Sequence, residues 1–261
     1  MKIDTHLHAE YSLDSTINSE ELIQKAINHN YEYICFTEHF DLLPQEIVKY
    51  GVLPVLRYQE KIESLREKYP QIRIGFGLEM GEMHRTKEVR DVIFKDISLD
   101  YIIGSIHLLR NGINLSTPID FSLQESDIML YYLEVVEMIN MGGFDTLGHL
   151  DIYRREISED NLKSIHFQDI VDTILRSIIE KNICLEINYS GFRSSCNSTL
   201  PDESVIKRFI ELGGELITIG SDSHRIEFFD KYYDRTVDLL KNNAVKYVFY
   251  KYNNEWISKK I

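Results

Sequence analysis

The sequence predicts an α/β protein whose strands run parallel and are joined by crossover helices. Strand-length apolar runs alternate with segments of helical period seven times along the chain. Each run is followed by a helix or a helix-sized insert, the connection that parallel pairing requires. No Gly/Ser linker, low-complexity tract or shift in composition divides the 261 residues, so one domain over 1–261 is expected. An open doubly wound sheet and a closed barrel both satisfy this pattern. No G-x-G-x-x-G follows the first strand, so the nucleotide-binding form of the open sheet has no support.

The elements are read in order. In an extended Ile3–Leu7, side chains alternate, so Asp4, His6 and His8 project to one face and both imidazoles can reach one cation. Asn18-Ser19-Glu20-Glu21 resembles a capping box and opens a helix with the apolar stripe Leu22, Ile23, Ala26 and Ile27. Tyr33–Thr37 is predicted as a buried strand, followed at once by Glu38-His39. Phe40–Leu56, which holds Pro44, Gly51 and Pro54, reads as a loop with a short helix and is a candidate lid by its length. A predicted helix over 56–69 precedes strand Ile72–Leu78, which delivers Glu79, and one over 86–94 precedes strand Tyr101–Ile106, which delivers His107.

An amphipathic helix over 124–140 is expected to stop at Gly142-Gly143, as helix C-termini favour. The short strand Asp145–Leu147 then delivers His149. A helix over 167–181 precedes strand Ile183–Ile187, which runs into Asn188-Tyr189-Ser190. Asp202 opens a helix to Leu212, and strand Leu216–Gly220 delivers Ser221-Asp222-Ser223-His224. A helix over 234–241 and the aromatic tail Tyr247–Trp256 close the chain.

Composition narrows the function classes. A formal net charge of −13 disfavours tight binding to nucleic acid or anionic membrane, both of which need a cationic footprint. A small anionic substrate remains compatible, because bound cations would offset several carboxylates. Three cysteines, Cys35, Cys184 and Cys196, cannot all pair within one chain; there is no C-x-x-C and no signal peptide, so a cytoplasmic location is expected. No apolar stretch approaches the ~20 residues that span a bilayer. A small-molecule substrate and a homo-oligomer are the expected partners.

The histidines carry the chemistry. Of nine, six (His6, His8, His39, His107, His149 and His224) stand at or just past the C-terminal end of a predicted strand, and Glu79, Asp222 and Asp14 occupy equivalent places. In a barrel all those ends converge on one face, where such residues form an active site. His29 and His166 are expected at the surface, and His84 towards solvent.

The set Asp4-Thr5-His6-Leu7-His8, Glu38-His39, Glu79, Ile106-His107, Gly148-His149 and Gly220-Ser221-Asp222-Ser223-His224 resembles the polymerase and histidinol phosphatase (PHP) family over essentially the whole chain. The length and the Asn188–Arg193 segment are similar to its histidinol-phosphate phosphatase branch. The resemblance implies a distorted seven-stranded (β/α) TIM-like barrel with two or three divalent ions, zinc, manganese or iron. It gives His6, His8, Glu79 and Asp222 to a first ion, His107 and His149 with bridging Glu79 to a second, and Asp14, His39 and His224 to a third. Many members carry His where this chain has Asp14, a harder oxygen donor that shifts preference towards iron or manganese.

Glu79, Asp222 and His224 are the implied catalytic residues. Arg193 and Arg154, the latter with Arg155 beside it, resemble phosphate-binding arginines, whose planar fork matches phosphate oxygens. The implied reaction is hydrolysis of L-histidinol phosphate to L-histidinol and phosphate by metal-activated hydroxide. The alternatives are a broader phosphoesterase (a phosphotyrosine phosphatase or nuclease) and a non-catalytic metal-stabilised interaction module. Loops Phe40–Leu56, Leu108–Phe121 and Asn188–Pro201 are expected to rim the mouth, with Tyr50, Asn111, Asn114, Tyr189 and Phe192 as candidates for contact with the leaving group.

Overall fold

Seven runs rich in β-branched and aromatic residues form strands: β1 (Lys2–Leu7), β2 (Tyr31–Phe40), β3 (Arg73–Gly81), β4 (Tyr101–Ser105), β5 (Thr146–Leu147), β6 (Cys184–Asn188) and β7 (Ile217–Gly220). The computed structural model describes residues 2–119, 122–155 and 164–261. Neighbouring strands pair in parallel and in chain order. β1 also meets the end of β7, where Asp222 N donates to His6 O at 2.9 Å and His8 N donates to Ser223 O at 3.2 Å. Those bonds close the sheet into a barrel at its C-terminal end, which settles the choice against an open sheet.

Among the described residues eight α-helices pack around it: α1 (Ser19–Asn28), α2 (Pro44–Tyr50), α3 (Val55–Lys68), α4 (Lys87–Ile93), α5 (Glu125–Met141), α6 (Gln168–Glu180), α7 (Glu203–Glu211) and α8 (Tyr233–Asn242). Asn18 caps α1 by accepting from Glu20 N and Glu21 N, and Asp202 caps α7 by accepting from Ser204 N and Val205 N. A two-way capping box is made at α5, between Gln124 and Asp127. None of the described helices is long and apolar enough to cross a membrane.

Two differences from the sequence reading matter. β2 and β3 run on past their apolar cores, so that Glu38, His39 and Glu79 lie within strands. Pairing continues to Phe40↔Met80 because these polar side chains find partners inside the barrel. The aromatic tail is an antiparallel hairpin, β8 (Tyr247–Tyr252) and β9 (Glu255–Lys260), turned by Asn253 and Asn254 at φ 50° and 61°. Two positive φ values in a two-residue loop are the type I′ geometry that Asn tolerates.

The hairpin covers the N-terminal mouth of the barrel. Tyr250 stacks on Tyr33 with centroids 4.2 Å apart, Tyr33 Oη donates to Lys251 O, and Trp256 meets Tyr101 edge-on. Lys251 Nζ lies 2.7 Å from Asp145. Cys35 and Cys184 are buried, Cys196 is half-buried, and all three are free thiols.

Candidate metal centre

Strands bring the predicted ligands to one end of the barrel. The Nε2 atoms of His6 and His8 lie 3.1 Å apart, those of His107 and His149 3.2 Å, and those of His39 and His224 3.3 Å. Two donors of a tetrahedral ion with bonds of about 2.0–2.1 Å stand about 3.3–3.4 Å apart. The three imidazole pairs therefore have the spacing of ligand edges, and this donor set fits divalent metal.

Glu79, on β3, reaches two of these pairs with different oxygens. Its Oε1 is 3.2 Å from His107 Nε2 and 2.6 Å from His149 Nε2, while Oε2 is 3.4 Å from both His6 and His8. Asp222 Oδ1 completes the His6/His8 group at 3.8 and 3.6 Å. Asp14 Oδ2 stands 3.5 Å from His39 and 3.4 Å from His224. The described residues contain four sets of three donors able to share an ion: His6–His8–Asp222, Glu79–His107–His149, His8–His39–His224 and His39–Asp41–His107. The last set includes Asp41, which the sequence reading missed.

Burial would raise the Glu79 carboxyl, but the imidazoles of His6 and His107 hold it well below the usual carboxylate range. Asp222 is likewise held well below its usual range against burial, by Arg155 and His6. His107 is pushed up to about 10 despite burial, by Glu79 and Asp41, whereas burial and the neighbouring His224 and His39 drive His8 down. These are the signs of a cluster in which donors crowd one another.

Carboxylates to which the sequence reading gave no role, Glu82 and Glu186 never singled out among them, hold the ligands from behind. Glu186 Oε1 lies 2.6 Å from His6 Nδ1, and its Oε2 accepts from His149 N at 2.6 Å. Asp41 stands 3.3 Å from His107 Nδ1, and Ser12 Oγ 3.1 Å from His8 Nδ1. Glu38 accepts from Ala9 N and Ser12 Oγ, Glu82 from His107 N and Leu108 N, and Asp4 from Ser221 N. Asp4, Glu38, Glu82 and Glu186 thus each reach from one strand end to the next and clamp the main chain beside a ligand. Partners of this kind set the tautomer and orientation of a ligating imidazole. Burial pushes Asp4 and Glu38 up to about 7 and Glu82 up to about 8. The available signal was a carboxylate inside an apolar strand run, as in Cys184-Leu185-Glu186-Ile187.

The arginines need one correction. Arg154, expected at the phosphate site, is buried with Nη1 2.8 Å from Asp202, the cap of α7. Its neighbour Arg155 reaches the metal centre instead, donating to Ser190 Oγ and Asp222 Oδ2. The turn Ile152–Arg155 is a 3₁₀ helix, whose three residues per turn send adjacent side chains about 120° apart. Arg193 donates to Ser221 O at 3.2 Å and Asp222 O at 2.9 Å, which ties it to the β7 loop.

His84 also differs from expectation: its side chain is only 5% exposed and lies 3.4 Å from Glu134 of α5. His29 and His166 are exposed, His29 paired to Asp230. Of the loop candidates, Tyr50 packs on His39 with centroids 4.0 Å apart, and Asn114 bonds Glu46. Asn111 bonds Asp127 on the outside, Tyr189 is buried beside Asp4, and Phe192 packs on Tyr232. Residues 120–121 of the Leu108–Phe121 loop lie outside the described residues.

Known proteins resemble this chain over most of its length. A probable histidinol-phosphatase of Clostridium acetobutylicum is 30% identical over 96% of this chain and 97% of its own length. A histidinol-phosphatase of Lactococcus lactis is 31% identical over 85% of this chain and 84% of its own. The crystal structure of a histidinol phosphate phosphatase from Lactococcus lactis, complexed with zinc, L-histidinol and phosphate, superposes with a TM-score of 0.85 at 27% identity, covering 98% of both chains. Residues 4–190 match the PHP domain, and with that match the chain belongs to the PHP family.

Proposed function

We propose that this protein hydrolyses L-histidinol phosphate to L-histidinol and phosphate, using two or three divalent ions held by His6, His8, Asp14, His39, Glu79, His107, His149, Asp222 and His224. The observation that carries the reading is Glu79, whose two oxygens face two different pairs of imidazoles. When bound, divalent ions there would lower the pKa of water and neutralise charge on the phosphoryl oxygens.

The chain's own residues do the rest. Glu79 and Asp222, both held ionised, would hold the ions in place. Arg155 holds the Asp222 carboxylate from its outer side and brings a fixed positive charge to the mouth. Arg193 braces the Ser221–Asp222 main chain beside the ligand carboxylate and is the arginine proposed to meet the phosphate. Hydrolysis forms one P–O bond from water, breaks the ester P–O bond, and sends the proton to the departing alkoxide. The zinc, histidinol and phosphate bound by the Lactococcus lactis protein support this substrate, and a net charge of −13 counts against a nuclease.

Steady-state comparison of histidinol phosphate with phosphotyrosine and a short single-stranded oligonucleotide tests the reading. A preference for histidinol phosphate of at least ~100-fold in kcat/KM is expected. Chelation to demonstrably metal-free protein should abolish hydrolysis, and full activity in that state would overturn the metal assignment. Bound metal with no turnover of any phosphomonoester would instead favour a non-catalytic module.

A further inference from the structure

Helix α2 lies beside the metal centre and turns one face to it. Glu46, Lys49 and Tyr50 are spaced three and four residues apart, on one side of the helix, while Val48 on another side is exposed. Tyr50 shows where that face points: its ring is 4.0 Å from that of His39 and 6.2 Å from that of His107. Lys49 donates to the hydroxyls of Tyr50 and Ser116. Glu46, one turn earlier, is 1% exposed. Asn114 Nδ2 donates to its Oε1 at 2.8 Å, whereas Oε2 is buried with no hydrogen-bond partner among the described residues.

An acceptor that is buried and unpaired is costly, and native structures rarely keep one without a reason. We propose that Glu46 is a specificity-determining residue whose free Oε2 receives a cationic nitrogen, the ammonium group of an amino-alcohol phosphomonoester, while the phosphoryl group lies at the metal centre. This rests on the phosphomonoesterase reading above and narrows its substrate class. A carboxylate paired with an ammonium forms a charge-assisted bond, stronger than one to a neutral donor. Asn114 sets the orientation of the carboxylate before substrate arrives, which lowers the ordering cost of binding. Side chains four apart on a helix stand about 5–6 Å from one another. Glu46 is therefore about one amino-alcohol length from Tyr50 and the imidazole on which Tyr50 packs.

Kinetics and product binding test the proposal. Wild type and Glu46→Gln are compared on histidinol phosphate, on the same ester without its amino group, and on p-nitrophenyl phosphate. Glu46→Gln should lower kcat/KM for histidinol phosphate about 100-fold relative to the amine-free ester, chiefly through KM. Calorimetric affinity for L-histidinol should weaken by a similar factor. Retention of the wild-type ratio between the two esters overturns the proposal, and so does an equal loss on all three substrates, which marks a structural role. If Glu46→Gln does not fold, Glu46→Asp keeps the charge but withdraws it, and the same ratio must again fall. A wild type that prefers other cationic esters over histidinol phosphate sustains the role of Glu46 and overturns the histidinol reading. A wild type that prefers histidinol phosphate, with that preference intact in Glu46→Gln, does the reverse.

Discussion

The two ends of the barrel are built from the same seven strands and have opposite characters. At the C-terminal end six histidines converge with Asp14, Asp41, Glu79 and Asp222, nearly all of them buried. Glu82, Asp151 and Asp222, beside the ligands, adopt φ of 39°, 73° and 51°, a region that L side chains other than Asn and Asp seldom occupy. At the N-terminal end the β8–β9 hairpin packs Tyr250 on Tyr33 and Trp256 on Tyr101, and its charged groups sit in ordinary pairs such as Lys251–Asp145 and Lys259–Glu32. One end therefore contributes apolar burial, while the other gathers donors whose crowding a bound cation would relieve. Stability and chemistry are separated along the barrel axis.

That separation can be broken by substitution at either end. The largest effect is expected from Glu79→Gln, which removes the charge facing both imidazole pairs: kcat should fall by about 10³-fold or more, and bound metal measured by atomic emission should drop with it. Glu186→Gln acts one layer out, on His6 and on the main chain of His149. It should weaken metal affinity about 10- to 100-fold in competition with a chelator dye, with a native circular-dichroism spectrum.

The opposite end should answer in the other currency of measurement. Tyr250→Ala deletes a fully buried ring and should cost about 3 kcal/mol in urea unfolding, with metal content and kcat unchanged. A fall in kcat to match Glu79→Gln would show that the two ends are not separable. The smallest effect is expected at the hairpin turn, where Asn254→Gly relieves a positive φ and should shift stability upwards by up to about 1 kcal/mol, read as a rise in Tm.

Much of this was legible from residue order. His107, His149 and Asp222 stand just past strand ends, as the apolar runs before them indicate. His39 and Glu79 were assigned to strand ends yet lie inside β2 and β3, because a polar residue ends an apolar run without ending the backbone pairing. The aromatic tail resolves into a hairpin only against Tyr33 and Tyr101, residues more than 150 positions away in the chain. Glu46 and Glu186 carried no spacing signal that marks their partners, Asn114 and His6.

The order of residues by itself determined which side chains stand at the mouth, since hydrophobic period and strand length are local properties. Barrel closure, which sets β1 against β7, decided the rest: that Glu79 faces two imidazole pairs, that Arg155 and not Arg154 meets Asp222, and that each carboxylate of the outer ring clamps a neighbouring strand end. Those relations depend on distances between segments far apart in the chain, and only the folded backbone supplies them.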